Sequence, residues 1–202
     1  MPRESPPLPR DLNGIFTVSA AIQAGVPAHP VTTGVSTWVD LAESLALDDL
    51  VTAGDWLLRP KSALTADDLR AGLRGGGRGV RRAREALGLI RPGSASVSET
   101  LTRLLLVRAG LPEPELNVDL VTESGWVATV DFYWRGWRFA MDYDGRHQRE
   151  RVKQMDYDLD RARLIRATGI GFEQVTAKHL RGMHPQVVQI VHEQLTARGW
   201  HP

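Results

Sequence analysis

Hydrophobic and polar residues alternate most regularly between Trp126 and Gly145, and this pattern predicts a β-hairpin. Apolar side chains occupy every second position over residues 126–134 and again over residues 137–143. This is the period of a half-buried strand. A two-residue turn at Arg135-Gly136 would place Trp134 opposite Trp137, Phe132 opposite Phe139 and Val130 opposite Met141. We therefore expect a central hairpin with its large apolar side chains on one face.

The opposite face of the predicted hairpin carries carboxylates. Asp131 lies on the first strand, Asp142 lies diagonally across from it, and Asp144 follows one step further along the second strand. Diagonal neighbours are roughly 7–8 Å apart between backbones and closer between side chains, so Asp131 and Asp142 can reach a common ion. A polar outer face is the alternative explanation. Because like charges on one face repel each other, the pattern favours a metal site.

Helical periodicities flank the hairpin on both sides. Three amphipathic stripes lie between Val35 and Leu87, and the third begins at the weak capping box of Thr65 and Asp68. After the hairpin, the sequence predicts a long helix, a strand over residues 170–175 and a C-terminal helix.

A helix is also expected just before the hairpin. It should begin at Ser96, which has capping-box spacing to Glu99, and end at Gly110. Helix, hairpin, helix, strand and helix in this order predict an α/β (α+β) domain built in layers.

Composition divides the chain into three parts. Residues 1–30 combine a proline-rich arm with a short helix over residues 16–26, which is typical of the start of a helix-turn-helix. Residues 31–93 form a helical region, and residues 94–202 form the α/β domain. No stretch is long and apolar enough to span a bilayer, and no apolar run follows the first charges, so we expect a cytoplasmic protein without membrane association.

The chain has no cysteine, which excludes disulfides, thiol catalysis and cysteine-bound zinc. Carboxylates and imidazoles are the remaining metal ligands, and carboxylate oxygens favour Mg²⁺ or Mn²⁺.

Arginine dominates the basic residues, and its clusters are candidate contacts to nucleic-acid phosphates. A GC-rich coding sequence is the alternative explanation for the bias. A glycine-rich turn at residues 74–79 leads into a basic helix start, but it lacks the Lys-Ser/Thr ending of a nucleotide-binding loop. A solvated linker is the other interpretation of this segment. The candidate phosphate contacts are Arg78, Arg81, Arg82, Arg84, Arg146, Arg149 and Arg161.

The order and spacing of these residues resemble the Vsr-like branch of the PD-(D/E)XK nuclease superfamily over about residues 94–195. The matching positions are Glu99 on a helix, Asp131 on a strand, the segment 141–145 with His147 behind it, and Asp158, Arg161 and Gly169. Residues 1–30 resemble the opening of the winged-helix segment of AbiEi-type antitoxins, and residues 31–87 resemble the region that precedes the nuclease module. Asp142 departs from the family pattern because it replaces the usual Glu, and Asp144 stands where the superfamily has Lys.

The resemblance implies a nuclease-like domain with a central mixed β-sheet flanked by helices, which cleaves DNA with Mg²⁺ or Mn²⁺. Asp131 and Asp142 would bind the metal with help from Asp144, and Glu99 would act through water. His147 would relay a proton or bind phosphate. Arg161 would stabilise phosphate charge, with an ion pair to Asp158 as the alternative.

Two other functions stay open at this point. An antitoxin-like regulator with an inactive nuclease domain would bind DNA, and a toxin or another protein, without cutting. A structural interaction protein would neither bind a divalent ion nor cut phosphodiesters.

Overall fold

The computed structural model describes residues 33–59, 62–73, 78–123, 125–145, 148–182 and 185–202, without the side chains of residues 148–157. Several predicted features lie outside the described residues: the segment 1–30, Arg146, His147 and the side chain of Arg149. The chain divides into two compact units, one made of residues 1–57 and 62–90 and the other of residues 58–61 and 91–202.

The described residues form seven α-helices and one four-stranded mixed sheet. The helices are α1 (Gly34–Leu41), α2 (Leu47–Leu57), α3 (Ala66–Gly72), α4 (Val80–Leu89), α5 (Val97–Arg108), α6 (Gln148–Ala167) and α7 (Gln186–Thr196). The strands are β1 (Glu115–Thr122), β2 (Gly125–Trp134), β3 (Phe139–Asp144) and β4 (Gly171–Thr176). This arrangement confirms the predicted mixed α/β class and the helical N-terminal part. Within the described residues, every helix is too short or too polar to cross a membrane.

The first unit is a small helical bundle of α1 to α4. Its core includes the fully buried residues Trp38, Leu50 and Leu69, and the indole nitrogen of Trp38 donates to the carbonyl of Leu50 at 2.9 Å. The predicted capping box at Thr65 starts α3, with both of its reciprocal hydrogen bonds formed. This unit therefore combines apolar packing with a locally encoded helix start.

In the second unit, the predicted hairpin forms the centre of the sheet. The strand order is β1-β2-β3-β4, in which the first two pairings are antiparallel and the β3–β4 pairing is parallel. A parallel pair needs a long crossover connection, and α6 supplies it. Both strands of the hairpin consequently have a hydrogen-bonded neighbour on each side.

Apolar cores cover both faces of this sheet. Phe132, Phe139 and Met141 pack with residues of α5 and α7, whereas Val130 packs with residues of α6. All four side chains are fully buried, as predicted. The prediction that they share one face is wrong, because β1 and β2 change face between residues 116 and 118 and between residues 130 and 132. Asn117, which has a left-handed φ of 48°, marks the change in β1.

The hairpin turn is longer than the sequence pattern suggested. A 3₁₀ turn over Arg135–Trp137 and a left-handed Arg138 (φ 47°) connect the strands. Trp134 consequently pairs with Phe139, and Phe132 pairs with Met141. The predicted partners were Trp137 and Phe139, so the predicted register is wrong by two residues.

Contacts to the chain after α6 hold this longer turn. The guanidinium of Arg138 donates to the carbonyl of Thr168 at 2.6 Å, and the carbonyl of Arg138 accepts from the amide of Gly171 at 2.8 Å. A shift of two residues leaves each side chain on its own side of the strand pair. It also brings Asp131 directly opposite Asp142 instead of diagonal to it.

Candidate functional site

Asp131 and Asp142 meet where the β2–β3 ladder ends, and we call these two residues the carboxylate pair. Phe132 and Met141 form the last backbone pair of the ladder. Beyond it, Oδ1 of Asp142 accepts from the amide of Asp131 at 3.0 Å, and Oδ2 of Asp131 accepts from the amide of Tyr143 at 2.7 Å. Side-chain oxygens therefore replace main-chain carbonyls as acceptors, and they hold the two carboxylates next to each other.

Burial and mutual repulsion dominate the electrostatics of the carboxylate pair. Removal from water and the charge of Asp142 raise the pKa of Asp131 to about 7, and Glu99 adds to the increase. The hydrogen bond from the Tyr143 amide and the charge of Arg161 offset only part of this effect. The site thus concentrates negative charge in a place where water screens it poorly.

Arg161 reaches the carboxylate pair from α6. Its Nη1 forms an ion pair with Oδ2 of Asp142, and its Nη2 donates to the carbonyl of Thr129. Its guanidinium carbon also lies 5.6 Å from the ring centroid of Phe172, within the range of a cation–π contact. The ion pair is with Asp142, whereas the sequence spacing suggested Asp158.

Glu99 lies near the carboxylate pair but is fully engaged as a helix cap. Its Oε1 accepts from the hydroxyl of Ser96 at 2.8 Å, and its Oε2 accepts from the amide of Ala95 and from Nδ2 of Asn117, both at 2.9 Å. The hydroxyl of Ser96 in turn accepts from the amide of Glu99. The predicted cap at the start of α5 is therefore confirmed, and Glu99 acts on Asp131 through its charge.

Asn117 is a site residue that sequence reasoning missed. Its Nδ2 donates to the carbonyl of Gly93 at 2.6 Å as well as to Glu99, and it lies on β1 in the register position opposite Asp131. Asn tolerates the left-handed region better than most residues do. An Asn inside the apolar pattern of β1 was the available signal for a break in the strand.

Asp144 and His179 lie near the carboxyl ends of the parallel strands. Asp144 is buried at the end of β3, where it pairs with Thr176 of β4. Nδ1 of His179 accepts from the amide of Thr176 at 2.9 Å, which leaves the proton of a neutral imidazole on Nε2. The sequence analysis placed His179 in a turn and gave it no role.

The carboxylate pair fits a small, partly hydrated metal site. Within the described ranges, no three acidic, histidine or cysteine side chains converge as metal ligands. Mg²⁺ is often bound through only one or two carboxylates, with water and substrate phosphates completing its shell. Asp131 and Asp142 supply that minimum with hard oxygen ligands, while Asp144 stays a predicted third ligand.

No protein-family model, curated protein or solved structure matches this chain. The resemblance to Vsr-like nucleases therefore stays a prediction from the residues.

The basic cluster of the first unit is partly used inside the fold. Nη1 of Arg82 donates to the carbonyls of Ala42, Glu43 and Leu45 at 3.0, 3.4 and 2.7 Å, so Arg82 caps the chain that leaves α1. Arg78 pairs with Glu43 at 3.4 Å. Arg81 and Arg84 are exposed on α4. Arg82 consequently has a structural role that the predicted phosphate contact did not include.

Proposed function

We propose that this protein is a cytoplasmic, metal-dependent endonuclease that hydrolyses DNA phosphodiesters at the carboxylate pair. The supporting observation is the pairing of Asp131 and Asp142, two carboxylates in direct contact, largely removed from water and only partly neutralised. Such an arrangement is unfavourable without a cation. DNA as the substrate follows from the resemblance to Vsr-like nucleases.

The carboxylate pair would hold Mg²⁺ or Mn²⁺ through oxygens of Asp131 and Asp142. A bound divalent ion supplies charge stabilisation at a scissile phosphate and lowers the pKa of a water. The chain itself fixes both ligands in advance, since the amides of Asp131 and Tyr143 hold one oxygen of each carboxylate. Preorganised ligands reduce the ordering needed when substrate binds.

Plasmid cleavage with matched variants tests this proposal. We expect purified protein to nick supercoiled plasmid in Mg²⁺ or Mn²⁺ but not with chelator, and Asp131→Asn to remove the activity. Asp119→Asn is the control because Asp119 is an exposed carboxylate on the neighbouring strand, and it should cleave like wild type. Wild-type protein that binds neither ion at millimolar concentration and cuts no nucleic acid would refute the proposal.

The ion pair between Arg161 and Asp142 favours a second candidate, an antitoxin-like DNA-binding regulator whose nuclease domain is inactive. Here the guanidinium would neutralise Asp142 permanently in place of a metal. Gel-shift titrations with wild type and Asp142→Asn separate the two. Equal DNA affinity without cleavage by either protein supports the regulator, whereas Mg²⁺-dependent cleavage that Asp142→Asn abolishes supports the nuclease.

A further inference from the structure

Arg161 binds the same carboxylate that a divalent ion would use. We propose that Arg161 is the resident cation of the carboxylate pair and competes with the divalent ion for Asp142, so that it lowers the metal affinity of the site. This inference rests on the proposed function, because it assigns a regulator of metal binding to that same site. Removing Arg161 should therefore tighten metal binding.

The hydrogen bonds to the four oxygens of the carboxylate pair support this competition. Oδ1 of Asp142 receives the amide of Asp131, Oδ2 of Asp142 receives Arg161, and Oδ2 of Asp131 receives the amide of Tyr143. Among the described residues, Oδ1 of Asp131 alone is left without a donor. An ion that bridges both carboxylates must therefore approach Asp142 next to the guanidinium, and two positive charges at this separation repel each other.

The other contacts of Arg161 allow it to release Asp142 without leaving the site. Its Nη2 is bound to the carbonyl of Thr129, and its guanidinium lies over the ring of Phe172. Neither contact involves the carboxylate pair, and the Arg161 side chain is 22% exposed. Arg161 can thus give up one ion pair while two anchors keep it on the sheet.

The net charge determines which cation the site favours. Asp131, Asp142 and Glu99 are close enough to influence one another, whereas Arg161 is the positive charge that acts on Asp131. Loss of Arg161 would leave the carboxylate pair without this compensation, and a divalent ion would then gain the full attraction of both groups. A residue that only positions Asp142 predicts the opposite sign, because its loss would misplace a ligand and weaken metal binding.

Calorimetric titration with MnCl₂ distinguishes these two signs. We expect Arg161→Gln to bind Mn²⁺ about tenfold or more tightly than wild type, since a nearby like charge is removed, and Arg161→Lys to remain closer to wild type. Arg163→Gln is the matched control on the same helix, because Arg163 is exposed and pairs with Asp160. It should leave Mn²⁺ affinity unchanged.

Thermal melting provides a second readout that does not depend on activity. Without metal, Arg161→Gln should melt below wild type because Asp142 loses its partner, and Mn²⁺ should raise its melting temperature by more than it raises that of wild type. Equal or weaker Mn²⁺ binding by Arg161→Gln, beside wild type that binds through Asp131, would overturn the inference and leave the proposed function intact. Absence of Mn²⁺ binding in every variant would overturn both.

Discussion

Replacement of Asp131 by Asn should change how the stability of the fold depends on pH. Asn keeps an oxygen that can accept from the amide of Tyr143, but it has no charge to repel Asp142. The folded protein raises the pKa of Asp131 to about 7 from an ordinary value of 3.8. Between these two values, the native state therefore binds more protons than the unfolded chain, and the free energy of unfolding falls as pH rises.

The structure sets the size of this effect. A difference of about three pH units between the folded and ordinary pKa values corresponds to an upper limit of about 4 kcal/mol, at about 1.4 kcal/mol for each unit. Wild type should lose stability from about pH 4 to about pH 7 and then level off. Asp131→Asn should lack this loss and should be the more stable protein at pH 8.

Urea unfolding followed by circular dichroism at pH 5, 6, 7 and 8, in chelator, measures this difference. Asp119→Asn is the control, because the exposed Asp119 has a pKa below its ordinary value through hydrogen bonds from Thr129 and Trp126, and it should retain the wild-type loss. Parallel curves for wild type and Asp131→Asn, with no divergence between pH 5 and pH 8, would show that Asp131 is not a strained carboxylate.

Three further predictions concern residues that hold the site and the helical unit in place, and urea unfolding tests each of them. Arg82→Ala should destabilise the protein by about 1–3 kcal/mol because three carbonyls lose a charged donor, whereas Arg84→Ala should change little; equal losses would contradict the capping role. Gly79→Ala should cost at least about 1 kcal/mol, since Gly79 has a φ of +78° and its added Cβ would lie 2.7 Å from the backbone of Ala42; an unchanged midpoint would argue against this strain. Asn117→Gly tolerates the left-handed backbone but removes the amide bonds to Glu99 and Gly93, so it should cost about 1–2 kcal/mol, and a stability equal to wild type would show that these bonds contribute nothing.

Local patterns predicted the parts of the fold that depend on periodicity. The alternation around Phe132 and Met141 correctly predicted two central strands and the burial of both residues. The spacing of Ser96 and Glu99 correctly predicted a helix cap. These features depend on neighbours within a few residues or on a period of two, and a single sequence contains that information.

Features set by distant contacts were not visible in the sequence. The turn after Trp134 depends on Arg138 meeting the carbonyl of Thr168, 30 residues away, so the pattern suggested the shortest hairpin loop instead. The partner of Arg161 is Asp142, 19 residues away, whereas helical spacing suggested the nearby Asp158. The sequence placed Asp131 and Asp142 on one face, but the tertiary contacts of the turn put them opposite each other.

The end of the β2–β3 ladder also bears on how such a domain can evolve. Asp131 and Asp142 close the strand pair with side-chain oxygens, so the residues that give the site its charge also give the sheet its shape. An amide side chain retains the acceptor oxygen, and a single base change converts an Asp codon to an Asn codon. One mutation can therefore remove the charge without a new strand register, which provides a short evolutionary route between a catalyst and a binding protein on the same backbone.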